Sequence, residues 1–390
     1  MMKRMSARAA AAAIACASVM GMLPLQASAE DAKQLLVLGD SISAGYAVEE
    51  GQYGYYDYLT QCEGYEMTNL AVSGYLTTDL LTLMAEEDTK SAIAAADVIS
   101  VSIGANDLLQ PFMKYLNSIM NEGETYQELF DRLNAEGSLV SHVSKLSGYV
   151  RPYINTAKSN VAEIEAQIFA LNPDVTLVMQ TIYNPVEYDE STIIGTEFES
   201  SYNLLKNYVR NSTNMINDAI RALEKAKIAE VSLAFEGAGW IYIRVREQDV
   251  HPTQLGHALI GATVLNTMGI TEGSTLAMRR TLDGITEEDA AVLPADDLAV
   301  MEPFAGEYYL RGDANHNGVI DSVDAILALQ QYNSAVLMGQ GDVLDPFGVF
   351  AIDVDQNGVL ETVDAVGILQ FYNRHSFVDP DTDWDDIYPA

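Results

Sequence analysis

The sequence predicts an α/β protein built on a parallel sheet, and three observations support this prediction. Short apolar runs alternate with amphipathic segments, which is typical of buried parallel strands joined by crossover helices. Three of the runs end in polar segments that contain glycine, as ligand-binding loops at the carboxyl edge of such a sheet do. The length of 390 residues, with 48% hydrophobic and 20% charged residues, suits one large globular domain and a small module.

The predicted elements alternate along the chain up to residue 272. The strand candidates are residues 34–38, 67–72, 97–103, 175–182 and 231–235. The helix candidates are residues 55–62, 77–86, 107–121, 140–171, 197–227 and 254–268. Residues 273–307 are rich in Thr, Asp, Glu, Ala and Pro and are predicted to be a linker, in which residues 286–292 could form a helix.

The amino terminus has the pattern of a secretory signal peptide. Three basic residues precede an apolar, alanine-rich stretch at residues 9–25, and the run ASA at residues 27–29 supplies a cleavage site. A retained transmembrane helix and a lipid anchor on Cys16 are the alternatives. We therefore predict a signal peptide over residues 1–29 and a secreted, extracellular protein.

The mature chain is expected to be strongly acidic. Cleavage removes three basic residues and no acidic one, which moves the formal net charge from −35 to −38. Such a charge repels nucleic acid and anionic membrane surfaces, so we expect neither as a partner, and a neutral or weakly charged substrate fits better. Only Cys62 remains after cleavage, so no disulfide can form within the chain.

Ser41 is the candidate nucleophile. It follows the first predicted strand directly, in the run GDSISAG at residues 39–45, where a serine can be exposed at the edge of the sheet. The alternative is a plain turn in which Asp40 and Ser41 cap the next helix. The run lacks the second glycine of the G-x-S-x-G nucleophile elbow, which disfavours the α/β-hydrolase family.

A serine hydroxyl needs a base to take its proton, and His251 is the best candidate among the five histidines. It stands just before Pro252, a residue suited to a first helical turn, so its ring is expected at a helix start rather than in a core. The other histidines lie in helix-like stretches, inside a metal-loop pattern or near the carboxyl terminus: His142, His257, His316 and His375.

Acyl chemistry also requires donors for the charge that develops on the carbonyl oxygen. Gly74 has no side chain to block its N–H, and Asn106, at a strand end, can present its amide to the same place. Helix capping by Asn106 and a turn with positive φ at Gly74 are the alternatives. Because these candidates follow strands of one parallel sheet, we expect them to form one site.

Four short motifs contain these residues: GDSIS at 39–43, NLAVSG at 69–74, GANDL at 104–108 and HP at 251–252. In order and spacing they resemble the four blocks of SGNH (GDSL-type) hydrolases, over about residues 34–272. The resemblance implies a flavodoxin-like three-layer α/β/α fold and an esterase without a catalytic cofactor, in which Ser41 attacks and His251 relays the proton. It also implies an oxyanion hole formed by the Ser41 N–H, the Gly74 N–H and the Asn106 amide.

One departure from the family concerns the acid that orients the histidine. The family usually has an acidic residue three positions before the histidine, where this chain has Gln248. Asp249 could reach the ring if the loop is slightly re-formed, and we take it as the candidate third member of the triad. Otherwise a main-chain carbonyl would serve a Ser-His dyad.

Beyond the predicted linker, a twelve-residue pattern occurs twice. Residues 313–324 read DANHNGVIDSVD and residues 353–364 read DVDQNGVLETVD, with glycine at position 6 and oxygen-bearing side chains at positions 1, 3, 5, 9 and 12. The spacing predicts two calcium loops, with charge-rich surface turns as the alternative. The expected ligands, including two valine carbonyls and water-mediated contacts at position 9, are Asp313, Asn315, Asn317, Val319, Asp321, Asp324, Asp353, Asp355, Asn357, Val359, Glu361 and Asp364.

Each loop is followed by a near-copy helix, DAILALQQYN from residue 324 and DAVGILQFYN from residue 364. This duplicated half-EF-hand is similar to the dockerin module of cellulosomal enzymes, over residues 308–378, followed by an acidic tail at residues 379–390. The resemblance implies a small all-α module that folds on two structural Ca²⁺ ions and binds the cohesin domain of a scaffoldin. The implied cohesin contacts are Ser322, Val323, Thr362 and Val363.

Together the two resemblances imply a cellulosome-associated serine esterase that removes acetyl groups from plant cell-wall polysaccharide. Its catalytic domain would span residues 30–272. A lipase-like or aryl esterase with the same site is an alternative, because residues 183–203 carry no readable specificity signal. A catalytically impaired binding subunit is an alternative of another class, suggested by the missing acid at Gln248.

Overall fold

The computed structural model describes residues 33–49, 51–196, 199–305, 310–315, 319–344, 346–380 and 382–388. The predicted signal peptide at residues 1–29 and the candidate calcium ligand Asn317 lie outside the described residues. Within these described ranges, no helix combines the length and the hydropathy that are needed to cross a membrane.

A five-stranded sheet forms the centre of the larger part of the chain, and all its pairings are parallel. The strands are β1 (Gln34–Gly39), β2 (Glu66–Asn69), β3 (Val98–Ser102), β4 (Thr176–Gln180) and β5 (Lys227–Ala229). Their order, β2-β1-β3-β4-β5, is that of flavodoxin-like folds. The predicted α/β fold with a parallel sheet is confirmed.

Helices cover both faces of the sheet, so alternate residues of a strand enter two different cores. Leu35 and Val37 of β1 pack into one core, and Leu36 and Leu38 pack into the other. Burial on both faces explains why the strands have unbroken apolar sequences. The helices up to residue 268 are α1 (Tyr55–Glu63), α2 (Thr77–Met84), α3 (Glu87–Ala95), α4 (Ala105–Ile119), α5 (Tyr126–Ala135), α6 (Leu139–Leu171), α7 (Glu199–Arg221), α8 (Val231–Ala234), α9 (Gly239–Tyr242) and α10 (Gln254–Met268).

The last predicted strand, at residues 231–235, is instead the short helix α8, and the edge strand β5 precedes it. Val231 and Phe235 are buried, whereas Leu233 between them is 57% exposed. Burial of residues four apart is the pattern of a helix, and a short apolar run does not by itself distinguish a helix from a strand.

Residues 273–305 do not form the predicted linker. They form α11 (Leu276–Asp283), α12 (Glu287–Val292), α13 (Ala295–Met301) and a 3₁₀ turn (Glu302–Phe304), a segment that we call the arm. Met278, Met301 and Phe304 of the arm are fully buried in the same core as α1 and α10. Short helices that bury one face need few apolar residues, which is why the composition resembles that of a linker.

Polar contacts also attach the arm to the helices that cover the sheet. The hydroxyls of Tyr58 in α1 and Thr281 in α11 are 2.8 Å apart, and the Tyr242 hydroxyl at the end of α9 donates to the Asp297 carboxylate. The arm is therefore part of the body that contains the sheet.

The carboxyl-terminal part has a small core of its own, formed around Ala325, Ala328, Ile352 and Ile368. Its helices are α14 (Ser322–Gln331), a π-helical continuation (Tyr332–Leu337), α15 (Pro346–Ile352) and α16 (Thr362–Phe377). We call residues 310–388 the C-terminal module.

The predicted acidic tail is not separate from the C-terminal module over its described residues. The Trp384 ring stacks on Phe371 at a centroid distance of 4.5 Å, and its indole N–H donates to the Arg311 carbonyl over 3.1 Å. The aromatic contacts explain why this acidic segment packs against α16.

Candidate active site

Ser41 lies in the turn that leaves β1 at the carboxyl edge of the sheet. Gly39 has a φ of 129°, and a Cβ atom there would lie 2.0 Å from the Ser102 carbonyl oxygen of β3. The next residue, Asp40, donates its N–H to that same oxygen over 2.9 Å. Only glycine allows the two strands to approach this closely, and the close approach brings Ser41 to the point where the strand order reverses.

His251 lies three residues before the start of α10, near a helix start as expected, although Pro252 precedes the N-cap Thr253 and is not in the first helical turn. Ile243 and Pro252 form an isolated antiparallel bridge, and the Arg244 N–H donates to the His251 carbonyl over 3.0 Å. The Tyr183 hydroxyl, from the segment after β4, donates to the Val250 carbonyl over 2.7 Å. Contacts from two sides thus hold the loop that contains His251.

The structure brings Ser41, His251 and Asp249 into one line of hydrogen bonds. His251 Nε2 lies 2.9 Å from Ser41 Oγ, and His251 Nδ1 lies 2.5 Å from Asp249 Oδ1. Gln248 adopts a left-handed conformation with a φ of 57°, a tight turn that lets a residue two positions before the histidine reach the ring. The acid contact is therefore made by Asp249 rather than by a main-chain carbonyl.

The environment of Asp249 favours its carboxylate form. Partial burial works to raise the pKa of Asp249, but hydrogen bonds from the His251 ring and backbone N–H hold it below its ordinary value. Electrostatic interactions with His251 and Arg244 act in the same direction. An ionised carboxylate can both fix the imidazole tautomer and stabilise a protonated ring.

Gly74 and Asn106 line the same cleft as Ser41 and His251. Gln110 Nε2 donates to the Gly74 carbonyl over 2.7 Å, and Asn106 Nδ2 donates to the Tyr75 carbonyl over 3.1 Å. The alternative of a turn with positive φ is observed at Gly74, which has a φ of 86°, whereas Asn106 lies in the first turn of α4 and its side chain does not cap the helix. The turn and the helix start therefore bring both residues into the lining of the cleft that contains Ser41.

Two buried carboxylates lie next to the site: Asp40, which the sequence suggested only as a capping residue, and Asp107, which it did not single out. Burial, with a smaller contribution from Asp107, raises the pKa of Asp40 to about 7, and one Asp40 oxygen accepts the Ile42 N–H. Asp107 accepts hydrogen bonds from the Thr77 N–H and hydroxyl, at 2.9 and 2.8 Å. These contacts hold the Ser41 turn and the start of α2.

A large cleft extends from Ser41 between α4, α5 and α7, with a volume of about 1540 Å³. Asn134 of α5 donates to the Ser201 hydroxyl of α7 over 2.6 Å, which joins two of its walls. No local motif predicted this lining, because it comes from distant helices. The side chains of its apolar wall are Ile182, Val186, Leu108, Leu109, Phe112, Met113, Leu116, Phe130, Leu205 and Val209.

Three other histidines lie outside the cleft lining. His257 is fully buried in α10, where burial lowers its pKa to about 3. His142 contacts the Tyr115 hydroxyl at 3.0 Å, and His375 stacks on Phe371. His316 is outside the described residues.

In the C-terminal module, the second repeat brings three candidate ligands together. Carboxylate oxygens of Asp353, Asp355 and Asp364 lie within 4.8 Å of one another, and one buried Asp353 oxygen has no hydrogen-bond partner among the described residues. Asp364 also accepts the N–H groups of Val354 and Glu361.

The first repeat has the matching hydrogen bonds. Asp324 accepts the N–H groups of Ala314 and Asp321, and the Asp321 carboxylate accepts the Val323 N–H at the start of α14. Asp313 is buried like Asp324. The four predicted cohesin contacts, in the first turns of α14 and α16, are exposed: Ser322, Val323, Thr362 and Val363.

Comparison with known proteins gives a family match over more than half of the chain. Residues 37–259 match the family described as GDSL-like Lipase/Acylhydrolase. The uncharacterized protein YpmR of Bacillus subtilis (strain 168) is 23% identical over 237 residues, which are 59% of this chain and 79% of that protein.

Solved structures also resemble part of the chain. The lipase Lip_vut3 from a goat rumen metagenome is 18% identical, with 60% of this chain and 97% of that chain covered and a TM-score of 0.41. Phospholipase A1 from Streptomyces albidoflavus NA297 is 17% identical, with 60% and 99% covered and a TM-score of 0.38.

Proposed function

The chain belongs to the GDSL-like lipase/acylhydrolase family, and from this premise we propose that it is a serine ester hydrolase. The single observation that carries the proposal is the hydrogen-bonded line from Ser41 through His251 to Asp249 at the wall of a large cleft. A serine hydroxyl is activated when a base lies within hydrogen-bond distance of it and an acid orients that base.

The reaction begins when Ser41 Oγ attacks the ester carbonyl carbon while His251 Nε2 takes the hydroxyl proton. Asp249 stabilises the protonated ring through Nδ1. The negative oxygen of the tetrahedral intermediate accepts hydrogen bonds from the Ser41 and Gly74 N–H groups and from the second N–H of the Asn106 amide. The intermediate then collapses, and the alcohol leaves with the proton from His251.

Deacylation repeats these steps with water. His251 takes a proton from water, the hydroxide attacks the acyl carbon, and the collapse returns a proton to Ser41 as the acid is released. The alternative of a catalytically impaired binding subunit was suggested by Gln248, which stands where the family usually has an acidic residue. The contact of Asp249 with the His251 ring supplies that acid one residue later and so argues against this alternative.

We further propose that the preferred acyl group is a long hydrocarbon chain. The cleft volume of about 1540 Å³ exceeds the roughly 300–1,000 Å³ of ordinary small-ligand sites, and its wall is mostly apolar. Each methylene that leaves water contributes about 0.8 kcal/mol, so a long chain gains binding energy that an acetyl group does not. Removal of acetyl groups from polysaccharide is the second candidate, and the dockerin-like carboxylate cluster favours it.

A panel of nitrophenyl esters from acetate to palmitate, tested beside acetylated xylan, distinguishes the two candidates. We expect kcat/KM to rise with chain length and a fluorophosphonate to label Ser41, with Ser41→Ala inactive in both assays. Highest activity on acetylated xylan would establish the second candidate instead. Failure of the wild type to hydrolyse any ester or to be labelled would refute the hydrolase.

We propose that the C-terminal module binds two structural Ca²⁺ ions and, through them, a cohesin. Three close carboxylates and a buried oxygen without a partner fit a hard cation that prefers oxygen ligands. The Ca²⁺ ions would neutralise the carboxylates and support the exposed first turns of α14 and α16, where a cohesin would dock. We expect EGTA to unfold this module and abolish cohesin binding, and retained cohesin affinity in excess EGTA would refute the proposal.

Secretion is also proposed, on the pattern of residues 1–29. Expressed with residues 1–29 in an exporting bacterial host, the protein should reach the medium with a mature chain that begins at Glu30. Intact-mass measurement of secreted protein checks this, and an unprocessed amino terminus would contradict it.

A further inference from the structure

We infer that Tyr46 and Arg244 form a clamp that positions the His251 imidazole against Ser41. This inference rests on the hydrolase proposed above and adds two positioning residues to it. The clamp joins the loop of the nucleophile, residues 41–49, to the loop of the base, residues 244–251. We call these the serine loop and the histidine loop.

Tyr46 is the part of the clamp that touches the ring of the base. Its ring centroid lies 4.3 Å from that of His251, with the planes tilted by 41°. The Tyr46 side chain is 52% exposed and lines the cleft, so little of it is needed for the core. A ring at this distance limits rotation of the imidazole, and its π-face favours the cation that forms during proton transfer.

The backbone of the serine loop is shaped to present Tyr46. The Tyr46 N–H donates to the Ser41 carbonyl over 2.9 Å. Gly45 and Ala47, on either side, both have left-handed conformations with φ of 71° and 64°. This conformation is unfavourable for alanine, whose Cβ is crowded there, so another contact must hold it.

Arg244 supplies that contact. Its guanidinium donates to the Ala47 carbonyl over 2.7 Å and to the Glu49 carboxylate over 3.3 Å. Its backbone N–H donates to the His251 carbonyl, and its carbonyl accepts the Asp249 N–H over 3.1 Å. One residue therefore binds the strained point of the serine loop and both ends of the Asp249–His251 pair.

The distribution of these contacts explains why the two residues act together. Loss of the guanidinium frees Ala47 to relax out of its left-handed conformation, and the backbone change moves the adjacent Tyr46 ring. Loss of the ring leaves the loop in place but frees the imidazole. Either change misplaces the Ser41–His251 contact, and a misplacement of about 1 Å can cost about 100-fold in rate.

The test uses the full-length protein, its best nitrophenyl ester and two pairs of variants. We expect Tyr46→Leu and Arg244→Met to lower kcat about 10- to 100-fold with KM changed less than about twofold. Tyr46→Phe should keep at least about half of kcat, and Arg244→Lys should recover part of the loss, because each restores one contact. The double variant should be at most about twofold slower than the worse single variant, since both act through one loop.

Matched controls come from the same chain. Tyr153→Leu removes a partly exposed tyrosine from α6, and Arg279→Met removes an exposed arginine that pairs with Asp283 in α11. Both should retain wild-type kcat. Because the Tyr46 ring is half exposed, its loss should not open a cavity in the core. Tyr46→Leu therefore tests the clamp even if Arg244→Met fails to fold.

Failure of this inference can be separated from failure of the proposed function. An inactive wild type that a fluorophosphonate does not label refutes the hydrolase. An active wild type with kcat within twofold in folded Tyr46→Leu refutes the clamp alone, as does a rise in KM at constant kcat.

Discussion

Replacement of Asp249 tests the proposed relay most directly, and the structure sets the size of the effect. Asp249 Oδ1 lies 2.5 Å from His251 Nδ1, and the Asp249 side chain is 26% exposed. Two unit charges about 4 Å apart interact by about 4 kcal/mol at an effective dielectric constant near 20. Partial exposure reduces this to about 3 kcal/mol, and each 1.36 kcal/mol is about tenfold in rate. We therefore expect Asp249→Ala to lower kcat at least about 100-fold.

The assay is steady-state hydrolysis of a nitrophenyl ester between pH 5 and 8. Because the Asp249 pKa is held below its ordinary value, the carboxylate stays ionised over this range, and its own titration should not contribute to the pH dependence of the loss. Glu247→Ala is the matched control, since it removes an exposed acid from the same turn and should leave kcat within about twofold. A loss below threefold in Asp249→Ala would refute the reasoning and return the role to a main-chain carbonyl.

Three further predictions concern the cleft, the arm and the buried histidine. Leu205→Trp narrows the apolar wall and should lower the palmitate-to-acetate ratio of kcat/KM about tenfold, and an unchanged ratio would place the acyl chain elsewhere. Phe304→Ala should lower the free energy of unfolding by about 3–5 kcal/mol in urea, whereas exposed Val292→Ala should change it little. Burial lowers the pKa of His257 in the folded protein to about 3, from its ordinary 6.5. As the pH falls below 6.5, the unfolded state takes up a proton that the folded state does not, so the free energy of unfolding decreases. His257→Leu should therefore lose less stability than the wild type between pH 6.5 and 4, and equal losses would contradict the prediction.

The order of the elements up to residue 268 could be predicted because the parallel sheet is buried on both faces. Its strands show as apolar runs, and the helices between them are long enough to show periodicity. The error at residues 231–235 arose where the run was too short to show a period. The arm was misread because its few buried side chains, such as Met301 and Phe304, are spread among acidic residues.

The proximity of Ser41, His251, Gly74 and Asn106 could be predicted because strand ends and a helix start carry distinctive residues. The contact of Asp249 with the imidazole depends on the left-handed turn at Gln248, which spacing alone does not reveal. The apolar wall could not be predicted, because it depends on how α4, α5 and α7 pack and not on any one segment. Tyr46 and Arg244 are nearly 200 positions apart, and no local pattern relates them.

Because the arm is folded, it limits the distance between the site at Ser41 and anything that the C-terminal module holds. A flexible connection over residues 273–307 could extend to roughly 115 Å, at about 3.3 Å per residue. The arm is folded up to Ala305, and the five residue steps from Ala305 to Leu310 can span at most roughly 20 Å. If the C-terminal module is anchored as proposed, Ser41 would meet a substrate only within a short radius of the anchoring point, and the choice of neighbouring partner would largely decide which esters it encounters.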